Sequence, residues 1–147
     1  MSIYHAYWLL LGLILGTALI YLARHRGVQR EQRLLANALI VAAIIYVGFA
    51  LVWGDSSWLL IELAGVPAYG LFYWLAYRQS FYWLALGWSA HPAWDIFLHL
   101  TGPGHDVAPA WYATACISFD FLLAAYIVAS ANRWQNAADK APGEPPP

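Results

Sequence analysis

Residues 86–100 read Leu-Gly-Trp-Ser-Ala-His-Pro-Ala-Trp-Asp-Ile-Phe-Leu-His-Leu. The stretch is apolar, yet it carries His91, Asp95 and His99 at intervals of four residues. On an α-helix this spacing places neighbouring members of the series on one face, a turn apart. Ionisable side chains are costly inside a membrane and are functional-site candidates there. The stretch therefore indicates a membrane helix that carries a site.

The composition of the whole chain favours an integral membrane protein. The 147 residues are 62% hydrophobic and 10% charged, whereas soluble domains carry about 25% charged residues. The net charge is −1, and no basic patch indicates a nucleic-acid partner. The single cysteine, Cys116, excludes a disulfide within the chain.

Five apolar stretches approach the ~20 residues that a helix needs to span a bilayer. They predict an all-α, polytopic membrane bundle with five transmembrane helices over residues 1–131, at residues 3–22, 34–53, 57–77, 80–100 and 109–131. The remaining residues, 132–147, end in Ala-Pro-Gly-Glu-Pro-Pro-Pro. This composition is typical of a disordered tail.

The basic residues predict the orientation of the bundle. Every lysine and arginine lies in alternate connections or in the tail, namely Arg24, Arg26, Arg30, Arg33, Arg78, Arg133 and Lys140. Because basic residues collect on the cytoplasmic side, we expect the N-terminus outside and the C-terminus in the cytoplasm. The predicted location is the bacterial inner (plasma) membrane.

Three acidic residues fall inside the predicted spans, namely Glu62, Asp95 and Asp120. No lysine or arginine lies within a span to pair with them. Since lone charges are costly in hydrocarbon, we expect the acids to share one outward-opening cavity with His91, formed by helices 3, 4 and 5. These four residues are the predicted catalytic groups. The predicted substrate-binding residues are Trp88, Trp94, His99 and Cys116.

Proton transfer to a lipid-soluble substrate is the first functional hypothesis. A carboxyl group in an apolar site can stay protonated near neutral pH. Asp95 or Asp120 would donate a proton, and His91 or Glu62 would accept one. Aromatic faces such as those of Trp88 and Trp94 could steady a developing cation. Isomerisation or cyclisation of an isoprenoid- or sterol-like molecule suits such a site, with the substrate drawn from the membrane lipid.

Two other hypotheses stay open on the same residues. Zinc or iron could bind His91, Asp95, Glu62 and Asp120 and support a metal-dependent hydrolase, although the spacing commits the chain to no cofactor. A non-enzymatic role is the third hypothesis: proton or cation binding, or an accessory subunit that uses its polar groups for helix pairing. The sequence leaves the oligomeric state open.

The motif residues resemble a small bacterial membrane family, domain of unknown function 6010. The family pattern has a Gly-Trp pair, a His, a Trp-Asp pair and paired His, followed by a Cys and an Asp in the last helix. The matching positions are Gly87, Trp88, His91, Trp94, Asp95, His99, Cys116 and Asp120. Leu98 stands where the pattern has the first His of the pair. The resemblance covers about residues 58–129 and implies no established activity.

Overall fold

A computed structural model describes residues 3–139. The elements are α1 (Ile3–Arg24), α2 (Val28–Trp53), α3 (Ser56–Arg78), α4 (Tyr82–Trp94), a π-helical segment (Asp95–Leu100) and α5 (Ala110–Asp139). These residues contain no strand. The prediction of an all-α fold is confirmed.

Four of the helices, α1, α2, α3 and α5, are long and apolar enough to cross a membrane. The predicted span 80–100 is divided between α4 and the π-helical segment. Large apolar side chains such as Leu51, Leu60 and Phe97 are exposed, whereas the carboxylates of Glu62 and Asp120 are buried. This distribution suits a hydrocarbon solvent and indicates a multi-pass membrane protein.

Helix α5 is the centre of the bundle. It packs against α1, α4 and the π-helical segment, while α2 packs mainly on α3. Gly12 and Gly16 of α1 are buried, and a Cβ atom on Gly12 would collide with the carbonyl oxygen of Ala115. Small residues at this spacing allow two helix backbones to approach closely, so these glycines set the position of α1 on α5.

The turn between α1 and α2 is shorter than the sequence predicts. Gly27 has a φ of 85°, a left-handed conformation that glycine adopts without strain, and α2 begins directly after it at Val28. Glu31, which the sequence places in a loop, is therefore helical and fully buried. Its carboxylate accepts hydrogen bonds from both terminal guanidinium nitrogens of Arg133, at 2.9 and 2.7 Å, and from the Tyr126 hydroxyl.

The prediction of a disordered tail from residue 132 is wrong for residues 132–139, because α5 continues to Asp139. Trp134 is fully buried, and its ring packs edge-on against Phe81 at 5.2 Å between centroids. This contact and the pairing of Arg133 with Glu31 stabilise the extra turns. The rest of the predicted tail, residues 140–147, lies outside the described residues.

Candidate functional site

Two aspartates and a histidine form a buried cluster between α4, the π-helical segment and α5. His91 Nδ1 is hydrogen-bonded to Asp120 Oδ2 at 2.9 Å, and Asp95 Oδ2 lies 3.8 Å from the same nitrogen. All three side chains are at most 1% exposed. An ionised carboxylate only accepts hydrogen bonds, so the His91 Nδ1–H donates when Asp120 is ionised. We call this group the His91 cluster.

Asp95 and His99 both lie on the π-helical segment that follows α4, and both are buried. Pro92 lies inside α4, and the wider turn begins at Asp95. The Thr101 amide N–H donates a hydrogen bond to the Ile96 carbonyl, five residues earlier, at 2.9 Å. Because a π turn holds more residues than an α turn, it rotates the residues that follow. Asp95 joins His91 and Asp120, whereas His99, eight residues after His91, lies outside their group.

His99 instead joins Glu62 of α3 in a second buried cluster. The His99 Nδ1–H donates to the Gly104 carbonyl at 3.1 Å, which turns Nε2 toward Glu62 Oε1, also at 3.1 Å. That contact has ion-pair distance without the angle of a hydrogen bond. The Trp94 indole N–H donates to Glu62 Oε2 at 3.2 Å. Glu62 is thus held by His99 and Trp94 rather than by the two aspartates.

Tyr46 of α2 joins the two clusters, and sequence reasoning missed it. Its buried ring lies 5.3 Å from the His91 ring and 4.9 Å from the His99 ring, between centroids. Its hydroxyl interacts electrostatically with Asp95, but neither the hydroxyl nor the two Asp95 carboxyl oxygens have a partner at hydrogen-bonding geometry among the described residues. The available signal was a lone tyrosine within the apolar run of α2, too deep for the interfacial belt.

The remaining predicted binding residues have different surroundings. Trp88 is fully buried, and its indole N–H donates to the Leu35 carbonyl at 3.2 Å, which ties α4 to α2. Cys116 lies one turn before Asp120 on α5 and is also buried. Trp88, Cys116 and Asp120 all line one large groove.

This groove differs from the predicted cavity. The sequence predicts an outward-opening space between α3, α4 and α5, but the groove lies between α1 and α2 above α4 and α5. Its volume is about 910 Å³, and it reaches from Arg26, Arg30 and Arg33 at one end to Trp111 and Tyr112 at the other. The cause is the packing pattern: α1 lies on α5 and α2 on α3, which leaves α1 and α2 apart.

The fold and the site define a class: an all-helical, multi-pass type of membrane protein with buried histidine–carboxylate clusters beside an apolar groove. Residues 8–133 match the model of the Family of unknown function (DUF6010), and the chain belongs to this family. Comparison with curated proteins and with solved structures finds no match.

Proposed function

We propose that this chain is a membrane enzyme that moves protons on a lipid-soluble, unsaturated substrate of isoprenoid type. In the proposed topology α4 and the π-helical segment, of 13 and 6 residues, together form a fifth span. The N-terminus lies outside and the C-terminus lies in the cytoplasm of a bacterial inner membrane. The pairing of Arg133 with Glu31 supports this topology, since it brings the end of α5 to the arginine-rich connection of α1 and α2.

The His91 cluster carries the proposal. Two buried aspartates share one imidazole, and no lysine or arginine is in an ion pair with either of them among residues 3–139. A proton held among three such groups can be passed between them and to a substrate at little cost. Neither oxygen of Asp95 has a hydrogen-bond donor at good geometry, which favours its neutral form and makes it the proton donor.

These groups can catalyse a double-bond isomerisation in which every proton is accounted for. Asp95 supplies a proton through His91 to Asp120, which lines the groove and protonates one carbon of a C=C bond, so that the adjacent carbon becomes cationic. The hydrogen-bonded His91–Asp120 pair then removes a proton from a neighbouring carbon, and the double bond re-forms one position along the chain. The proton returns from His91 to Asp95, so the enzyme ends as it began. The rings of Trp88 and Phe119 line the groove with Asp120 and would stabilise the cation.

Deuterium incorporation tests the proposal. The protein is reconstituted in lipid nanodiscs in deuterium oxide with a polyprenol and a polyprenyl phosphate, and the lipids are analysed by mass spectrometry. Asp95→Asn and Asp120→Asn should each lower deuterium incorporation about a hundredfold or more. The matched control is Asp106→Asn, which changes an exposed aspartate and should leave the rate unaltered. Absence of deuterium with the unmodified chain, or rates in both buried variants equal to that of the unmodified chain, would refute the proposal.

A divalent metal site is the second candidate, favoured by one further observation. One ligand atom from each of His91, Asp95 and Asp120 lies within 4.8 Å of the others, and a metal ion would have to draw these atoms to the spacing of about 3.4 Å between ligands of a tetrahedral zinc ion. Glu62 falls outside this set. A metal on Nδ1 would have to displace the proton shared with Asp120, so proton transfer remains the better-supported function.

Metal analysis of the purified protein separates the two candidates. Zinc or iron in equimolar amount, lost in a His91→Ala/Asp95→Ala variant and retained in Asp106→Asn, would establish a metal centre. A metal content that is equally low in all three proteins would leave the His91 cluster as a proton-transfer site.

A further inference from the structure

The groove between α1 and α2 is apolar along most of its length and strongly basic at one end. Its walls carry Leu15 of α1 and Val41 and Ile45 of α2, with Phe119 of α5 in its floor. A cavity of about 910 Å³ is within the size range of sites for a single small ligand, about 300–1,000 Å³. From Arg30 to Ile45 the groove follows α2 for about 22 Å, most of the ~30 Å thickness of the hydrocarbon core.

Three arginines at the basic end have no acidic partner. Arg26, Arg30 and Arg33 are exposed, and none of them forms an ion pair within the described part of the chain. In contrast, Arg133 is paired with Glu31. The positive-inside rule explains arginines in this connection, but it does not require that three of them line the mouth of one cavity.

The first turn of α2 adds to this positive end. Its N-cap residue is Gly27, which has no side chain to accept hydrogen bonds from the first-turn amides, and the positive end of a helix dipole favours an anion. A phosphate monoester carries a charge of about −1.5 to −2, which complements three guanidinium groups better than the single charge of a phosphodiester.

We infer that the groove binds a single-chain lipid phosphate monoester, with its phosphate on Arg26, Arg30 and Arg33 and its chain along α2 past Asp120. This inference names the substrate class of the proposed function. The isoprenoid nature of the lipid's hydrocarbon chain rests on that proposed function. A second copy of the protein suits the groove less well, because a two-fold contact across this face would bring two sets of arginines together.

Lipid binding is tested by native mass spectrometry of the full chain released from detergent micelles. The probes are a polyprenyl phosphate, the matching polyprenol, phosphatidylglycerol and inorganic phosphate. The polyprenyl phosphate should bind most tightly. Replacing the three arginines by glutamine should weaken it by about fivefold per residue and leave the polyprenol unchanged. Arg24→Gln is the matched control, because Arg24 ends α1 at the same side of the bundle but does not line the groove.

Other outcomes would overturn the inference. Equal affinity for phosphatidylglycerol would show a general anionic-lipid surface, and equal binding of inorganic phosphate would show a headgroup site without a chain. A dimer that excludes every lipid would assign the groove to a second copy. The Asp95→Asn variant keeps this test apart from the proposed function, since Asp95 does not line the groove and the variant should bind the polyprenyl phosphate normally while losing deuterium incorporation. If the polyprenyl phosphate binds but no deuterium is incorporated, the enzymatic function is refuted and the lipid-binding site is retained.

Discussion

Replacing Gly12 by alanine tests the close packing of α1 on α5. A Cβ atom at this position would collide with the Ala115 carbonyl oxygen and the Ser118 hydroxyl. The carbonyl belongs to a helix backbone and cannot move aside alone, so the two helices must separate. Separation would also strain the hydrogen bond from the Ser118 hydroxyl to the Leu9 carbonyl, now 2.7 Å.

The expected change in the free energy of unfolding has three contributions. Overpacking of a tight contact costs about 1–3 kcal/mol, and loss of a hydrogen bond between membrane helices costs about 0.6 kcal/mol. Alanine returns up to about 1 kcal/mol through its helix propensity. The Gly12→Ala variant should therefore lose about 1–3 kcal/mol of unfolding free energy.

Gly48→Ala is the matched control, because a Cβ atom on Gly48 of α2 meets nothing within 4 Å. This variant should be unchanged or gain up to about 1 kcal/mol. Both proteins are unfolded by sodium dodecyl sulfate in mixed micelles, with tryptophan fluorescence as the signal. Identical transitions for the two variants would refute the packing argument and, with it, the position of the α1 wall of the groove.

Two further predictions concern the cytoplasmic end of α5 and use the same unfolding assay. Trp134→Ala should cost about 3–5 kcal/mol of unfolding free energy because the side chain is fully buried. Trp74→Ala is the control and should cost far less, because Trp74 is 53% exposed. Similar losses for the two variants would mean that the extra turns of α5 are not packed. Arg133→Ala should cost about 3–5 kcal/mol because it leaves the buried Glu31 carboxylate without a counter-ion, with only the Tyr126 hydroxyl still donating to it. Glu31→Ala should cost about 1–3 kcal/mol because Arg133 is 40% exposed and can reach water. A larger loss for Glu31→Ala would contradict this assignment.

The sequence was informative about features that depend only on one segment and the solvent around it. Apolar runs of spanning length predict helices because each must satisfy its own backbone hydrogen bonds in hydrocarbon, and the all-α fold follows. The same reasoning selected His91, Asp95 and Asp120, because polar groups are rare in such segments. The structure brings these three side chains together at hydrogen-bonding and ion-pair distances.

The tertiary structure decided which side chains meet. On a regular helix His99 would already lie about 12 Å along the axis from His91, but only the tertiary structure places its Nε2 3.1 Å from Glu62 Oε1. Tyr46 and Glu31 acquired partners on other helices that local sequence does not reveal. The physical reason is that hydrocarbon acts on each helix separately, whereas contacts between helices depend on rotation and spacing. One wider turn, or one glycine such as Gly12, changes both.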